Sequence, residues 1–316
     1  MSFLSLIIVF LLEQLRPLSY QRIVAAPVMA SADFVEARIN VGGFRHGVAA
    51  WLAIVLPVVL LTLAAYLWLV GISPLLGLAF NVVVLYLTMG FRQFSSHYTE
   101  IQMALRVGDL PRARNLLAEW RGSAVGMAGS SEISRLAIEH ALIASHRHVF
   151  AVLLWFVLLP GPCGAVLYRL AAILVGHWRK TLAVESADFV RFPEQAFAVI
   201  DWLPVRATAA AFAAVGDFED AIYCWRTQSA QWPDPDAGIV LASAAGALGV
   251  QLGMPVVEGG DVNYRVELGV GAPADVEFMQ SAVGLVWRAT VFWILLLFLL
   301  GLSNLAGFTR SGLVPG

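Results

Sequence analysis

The stretch from Ser131 to Arg179 constrains the chain most. It begins as a polar helical pattern carrying Arg135, Glu139, His140, His146, Arg147 and His148. Without a linker it becomes the apolar run VFAVLLWFVLL, breaks at Pro160-Gly161-Pro162, resumes as a second apolar run and ends in His177-Trp178-Arg179-Lys180. A polar helix that feeds directly into an apolar one belongs at a membrane surface. At about 100° per residue, Arg135, Glu139, Leu142 and His146 fall in one narrow stripe, so three polar groups point the same way just above the apolar segment.

Composition supports the same class. The chain is 59% hydrophobic and 13% charged, with mean hydropathy +0.76, where soluble domains carry roughly 25% charged residues. This predicts an all-α, polytopic integral membrane protein with cytoplasmic-side helical segments. The apolar and polar stretches alternate too closely for separate folding units, so residues 1–316 read as one domain. A formal charge of −2, with no block of like charge, argues against nucleic acid as a partner. Cys163 and Cys224 give no disulfide framework and read as small buried thiols.

In chain order, Met1 to Leu12 is apolar but lacks a basic leader region and a cleavage site, and it is shorter than the roughly 20 residues a perpendicular span needs. It reads as an interfacial or tilted helix. Residues 13–48, with Glu13, Arg16, Arg22, Arg38 and Arg45, read as water-side. Residues 49–70 and 75–89 read as two spans joined by an uncharged turn at Gly71-Ile72-Ser73-Pro74. Arginines on both outer flanks put that turn outside and the flanks in the cytoplasm. Residues 91–147 are water-side, with Asp109 and Pro111 as a helix start. Residues 149–176 read as a hairpin of two short helices broken at Pro160-Gly161-Pro162, because broken backbone at membrane depth has to be covered by protein or reached by water.

Residues 177–202 and 216–288 read as water-side, the Ala-rich segment after Asp201-Trp202-Leu203-Pro204 as buried helix, and 254–275 as a Gly-rich loop. Ala237 to Gly253 reads as one helix whose Gly246, Gly249 and Gly253 permit close backbone approach. Residues 289–308 form the last span. His140 and His146 lie on different helix faces with no carboxylate or cysteine to complete a set, so no metal site is expected, and these histidines with Arg147 read as facing headgroups or water. No Walker-type loop, nucleophile elbow or dinucleotide fingerprint occurs.

Several segments together resemble one family. GDLPRAR (108–114), the Arg135 and Glu139 pair, Tyr168-Arg169, DWLPVR (201–206), DPDAG (234–238) and AGALGVQLGMP (245–255) stand in the order seen in the CobD/CbiB family of membrane proteins of cobalamin synthesis. The opening LLEQLRPL and the DWLPVR segment also resemble AmpE, a related membrane protein implicated in signalling for β-lactamase induction. The family resemblance implies an adenosylcobinamide-phosphate synthase, which joins an aminopropanol-type amine to a corrinoid carboxylate by ATP-dependent amide ligation. Such a reaction needs acids to hold magnesium on a triphosphate.

The chain departs from the family at those acids. Leu15-Arg16-Pro17 stands where the family has Gly-Asp-Pro, and Ile143-Ala144-Ser145-His146-Arg147 where it has Glu-Asn-x-x-Asp. Val175 stands for an aspartate, Phe197-Ala198 for an acidic pair, Asp236 for an asparagine and Leu241 for a glutamate. The expectation drawn from these losses is an AmpE-like regulatory or sensing protein without ligase chemistry, unable to restore cobalamin synthesis. ATP and Mg2+ enter only on the alternative reading, that of the ligase.

No catalytic residue is assigned. The candidate ligand-binding residues are Arg135, Glu139, Tyr168, Asp201, Arg206, Asp236 and Gln251, expected to meet at one site, with Arg135 and Arg206 removable without unfolding the chain. The expected partners are the lipid bilayer of a bacterial inner membrane and an anionic small molecule or corrinoid. A protein partner is not specified by the sequence.

Overall fold

The computed structural model describes residues 2–15, 21–182, 186–258 and 261–311, and nearly all of them are helical. Arg16 and Pro17, which enter the sequence comparison above, lie outside the described residues. Helix α1 (Ser2–Leu15) packs along α4 (Pro74–Thr88), and α2 (Ala26–Ile39) lies against α3 (Phe44–Ile72).

Helices α3 and α4 form a tight hairpin at Ser73, which ends one helix and caps the next. Its hydroxyl accepts from the Leu75 amide at 3.3 Å, and Pro74 takes the first-turn position, where a missing N–H leaves nothing unsatisfied. Leu52, Leu56, Leu60, Leu61, Leu67 and Trp68 of α3 are exposed. A face this apolar is stable against lipid and not against water.

After α5 (Phe91–Arg106) and α6 (Leu110–Arg121), the polar-to-apolar transition is one continuous rod. It comprises α7 (Ser130–Ser145), a π-helical turn (His146–Phe150) and α8 (Ala151–Leu158). The chain breaks at Pro160-Gly161-Pro162 and returns as α9 (Cys163–Thr181). His146 and Tyr168 bond the same carboxylate, so the two arms lie side by side as the sequence implies. Gly161 has φ +64 and sits against the Tyr66 ring, leaving no room for a Cβ.

Helices long and apolar enough to cross a membrane are Phe44–Ile72, Ser130–Leu158, Ala187–Val215 and Val276–Leu299. The third differs from the sequence reading, which opened a helix only near Pro204. Helix α10 (Ala187–Val215) runs through both Pro193 and Pro204. Proline removes one helical hydrogen bond but is tolerated where neighbouring helices cover the gap, and both prolines are buried. The last helix, α13 (Val276–Ser311), starts well before residue 289 because Asp275 caps it, accepting from the Glu277 and Phe278 amides at 2.9 Å.

A second difference concerns the segment after α11 (Phe218–Gln228). Helix α12 (Pro235–Leu248) stops where Gly249 turns left-handed at φ 64, so Gly249, Gly253 and Gln251 are not on a helix face. Of Gly246, Gly249 and Gly253, Gly246 alone packs helix on helix, against the Asp220 carbonyl of α11. The expected Gly-rich loop instead contains short strands. Strand β1 (Val250–Gly253) pairs antiparallel with β4 (Glu267–Leu268) and parallel with β5 (Ala272–Pro273), while β2 (Val256–Glu258) pairs with β3 (Asp261–Asn263).

The core divides into two clusters. The larger joins α5–α8, α10, α12, β1 and α13. The smaller joins α2, α3, α9 and the start of α10 around Trp51, Trp178 and Phe189. Both cysteines are buried and free, as expected.

The hairpin turns carry a topological consequence. Gly161 meets Tyr66 near the end of α3, whereas Gly47 near its start packs on Phe189; at 1.5 Å per residue these levels lie about 28 Å apart. Reporter fusions at Ser73 and Gly161 are expected to read periplasmic, and fusions after Arg121 and Lys180 cytoplasmic. A cytoplasmic reading at Gly161 together with a periplasmic one at Lys180 contradicts the hairpin.

Candidate functional site

The π-helical turn at His146–Phe150 is the local feature that builds the site. Such turns rotate side chains off the α-helical register and concentrate at functional positions. Here it begins at His146, which is buried at 2% exposure and does not face headgroups or water as its surface-type sequence suggested. Its Nε2 lies 3.0 Å from Asp201 Oδ1 and its Nδ1 2.9 Å from Thr208 Oγ1. A carboxylate only accepts, so Nε2 donates to Asp201, while Nδ1 meets the threonine hydroxyl. Tyr168 on α9 donates to the same Oδ1 at 3.0 Å. Three helices are thus tied at one buried aspartate.

Asp201 forms part of the wall of a cavity of about 340 Å³ between the end of α7, the second half of α9, the middle of α10 and the 233–237 turn. The volume is in the range of small-molecule sites. Its wall is polar and of both signs. Arg147 stands exposed at the rim, and Arg179 pairs with Glu194 at 2.8 Å. Asp234 and Asp236 enter from the turn, where Asp234 Oδ1 caps α12 by accepting from the Asp236 and Ala237 amides at 3.2 and 3.3 Å. Burial pushes the Asp236 carboxyl above its ordinary range, and the nearby Asp201 and Asp234 carboxylates push it further, opposed by Arg206 and His146. Arg206 itself stacks on the Trp202 ring at 4.2 Å and donates to the Trp202 carbonyl at 2.9 Å.

Arg135 and Glu139 belong to a different cluster, three and two helical turns before His146, or about 16 and 10 Å. They grip one residue on both of its backbone groups: Arg135 donates to the Gly253 carbonyl, and Glu139 Oε1 accepts from the Gly253 amide at 2.8 Å. Glu139 Oε2 also takes Arg265 at 2.8 Å, and Arg265 lies over the Trp232 ring at 5.1 Å. Gly253 has φ +78, and the next residue, Met254, is held at φ 67, a conformation rare for a side chain of its size. This clamp fixes the strand segment and, through Trp232, the turn that carries Asp234 and Asp236. Gln251 lies in β1, half-buried, with Pro273 as its ladder partner.

The seven sequence candidates therefore do not meet at one site. Tyr168, Asp201 and Asp236 come together with Arg206 nearby, Arg135 and Glu139 form the clamp, and Gln251 stands in the strand. Sequence reasoning missed His146, Asp234, Glu194 and Arg265 as members of these clusters. For His146 a signal existed, since it shares the stripe of Arg135 and Glu139. The departures are informative in place: His146, Arg147, Val175, Phe197, Ala198 and Asp236 all line the cavity.

Among the described residues no three His, Cys, Asp or Glu side chains converge as a ready metal cage. Magnesium is usually held by one or two carboxylates plus phosphate oxygens and water. Asp201, Asp234 and Asp236 line one cavity without forming such a cage.

A family model described as CobD/CbiB protein matches residues 24–286. A "Cobalamin biosynthesis protein CobD" of Stutzerimonas stutzeri is 36% identical over 273 residues, covering 84% of this chain and 87% of that one. Another of the same name, from Chromobacterium violaceum, is 35% identical over 235 residues, 73% of each chain. A third, from Mycobacterium tuberculosis, is 30% identical over 193 residues, 58% of this chain and 60% of its own. No solved structure matches the chain. These relatives, named for cobalamin biosynthesis, overturn the expected AmpE-like regulatory role. From the family model and the extent of these identities, the chain belongs to the CobD/CbiB family.

Proposed function

We propose that this protein performs an amide-forming step of cobalamin biosynthesis in a bacterial inner membrane, joining an aminopropanol-type amine to a corrinoid carboxylate at the expense of ATP. We read residues 1–316 as one membrane domain with the cavity at its centre. The observation that carries the chemistry is the charge layout of that cavity. Arg147 and Arg179 suit the anionic groups of a triphosphate or a corrinoid side chain. Asp201, Asp234 and Asp236 suit the cationic partners, an ammonium group or the magnesium of the nucleotide. The relatives' printed names carry the pathway.

A carboxylate does not react with an amine unaided, because its oxygen is a poor leaving group. ATP, as a substrate, makes that oxygen part of a phosphate, which the amine displaces. This chain's residues would hold the two reactants in register and exclude water, and fixed geometry of that kind supplies much of a bimolecular barrier. The clamp of Arg135, Glu139 and Arg265 would act at a distance by holding the 232–236 turn.

Two experiments separate site from scaffold. In a bacterium lacking its own CobD/CbiB enzyme, the full chain is expected to restore growth that depends on cobalamin synthesis from a corrinoid precursor; absence of growth with verified membrane insertion contradicts the proposal. The second uses purified variants. Removing the charge of Glu139 leaves Arg265 uncompensated in a buried pair, so Glu139→Gln is expected to lower stability by about 3 to 5 kcal/mol, and Arg135→Ala, which loses the bond to the Gly253 carbonyl, is expected to lower it as well. Asp236→Asn, on the half-exposed turn, is expected to melt like the wild type while losing ligation by a factor of about ten or more, the worth of one charge-assisted hydrogen bond. Equal melting of the clamp variants and the wild type contradicts the scaffold assignment.

A further inference from the structure

Asp201 is buried at 4% exposure on α10, yet it lines the cavity. Its two oxygens are treated unequally. Both hydrogen bonds, from His146 Nε2 and from the Tyr168 hydroxyl, land on Oδ1 at 3.0 Å. No donor among the described residues reaches Oδ2, and that oxygen is not one of the buried atoms sealed away without a partner. A carboxylate has about four acceptor sites, and an oxygen left without donors in a protein interior costs free energy unless something in the adjoining space meets it. The cavity is that space.

We infer that Asp201 Oδ2 receives the ammonium group of the amine substrate, and that His146 and Tyr168 are positioning residues that aim it. The inference takes its reaction from the amide-ligation reading, while its geometry stands apart from that reading. The field at this end of the cavity is suited to a cation: Asp234 and Asp236 lie beside Asp201, and the Asp236 carboxyl is pushed up by burial and by both neighbours. An ammonium brings three donors, which a free Oδ2 and a second carboxylate can share without the octahedral cage a bare metal would need.

His146 is wedged between two turns of α10, with Asp201 on one ring nitrogen and Thr208 on the other. Because Thr208 and Asp201 are seven residues apart on one helix, this double bond fixes both the ring and the carboxylate rotamer. In the reaction the bound R–NH3+ gives one proton to Oδ2. The freed lone pair attacks the carbonyl carbon of the phosphate-activated acid, so a C–N bond forms while the C–O bond to phosphate breaks. The phosphate leaves with the electron pair, and the second nitrogen proton passes to the departing phosphate or to water. Tyr168, Arg147, Asp234, Asp236 and Arg206 are the charged or titratable groups around this step.

The test titrates 1-amino-2-propanol by calorimetry into the full chain in lipid nanodiscs, without nucleotide or Mg2+, and then follows ligation in a separate assay supplied with ATP, Mg2+ and a corrinoid acid. Hydrogen bonds to charged groups are worth about 1.5 to 3 kcal/mol, so Asp201→Asn is expected to weaken amine binding about tenfold or more. His146→Leu should also weaken it and lower the ligation rate, whereas His146→Gln, which keeps an N–H toward Oδ1, should recover most of both. Tyr168→Phe removes one donor and is expected to show a smaller loss; if His146→Leu does not fold, this variant carries the comparison.

Absence of amine binding by the wild type, wild-type affinity in Asp201→Asn, or unchanged affinity in Tyr168→Phe overturns the inference. So does a His146→Gln variant that melts like the wild type but binds no better than His146→Leu, or an Asp201→Asn variant that loses Mg2+ binding and keeps the amine. If the wild type binds the amine with this residue dependence but makes no amide, the ligation reading fails and the inference stands. If the wild type and Asp201→Asn ligate equally well, the inference fails and the ligation reading stands.

Discussion

The tie at Asp201 holds the centre of this protein together. A carboxylate at 4% exposure is tolerable only because donors from two other helices converge on it; without them a buried charge of this kind would be neutralised or expelled. The same bonds set the angle between the two arms of the 130–181 hairpin and the long helix α10. Once those three elements are fixed, the space between them is fixed too, and that space is the cavity. His146 and Asp201, which tie the helices together, also line that cavity.

The rest of the fold reads as support for this arrangement. The apolar faces of α3 and α13 supply the lipid contact, so the polar tie can be shielded from bulk water on one side. On the other side the Arg135–Glu139–Arg265 clamp fastens the β1 strand and the Trp232 turn. Arg169 of α9 performs a related task by donating to the Thr88 carbonyl, which satisfies the last carbonyl of α4. Each of these contacts answers the same requirement, that backbone and charge removed from water find partners within the protein.

Much of the membrane architecture was legible in the sequence, because length and apolarity are local properties. The α3–α4 turn at Ser73 and the break at Pro160 could be read directly from proline, glycine and serine placement. Helix α10 was not legible, since Pro204 looks like a boundary until the neighbours that cover it are known. The strands at 250–273 were hidden for the same reason: they are two to four residues long and exist because Glu139 and Arg135 grip Gly253 across more than a hundred residues of sequence. The stripe of Arg135, Glu139 and His146 reads in the sequence as one site, but the structure divides it between two: Arg135 and Glu139 hold Gly253, and His146 holds Asp201. The inference of lost chemistry counted acids position by position against the family; Asp201, Asp234 and Asp236 show that carboxylates gather from segments that such a count treats separately.

The central claim is that this membrane cavity makes an amide bond. It is tested most directly with the purified full chain in lipid, supplied with a corrinoid acid, 1-amino-2-propanol, ATP and Mg2+, and followed by mass spectrometry of the corrinoid. The account predicts a product heavier by the amine less one water, formed only with ATP and consuming one ATP per amide. A corrinoid of unchanged mass, from protein shown to be folded and to bind the amine, would contradict it.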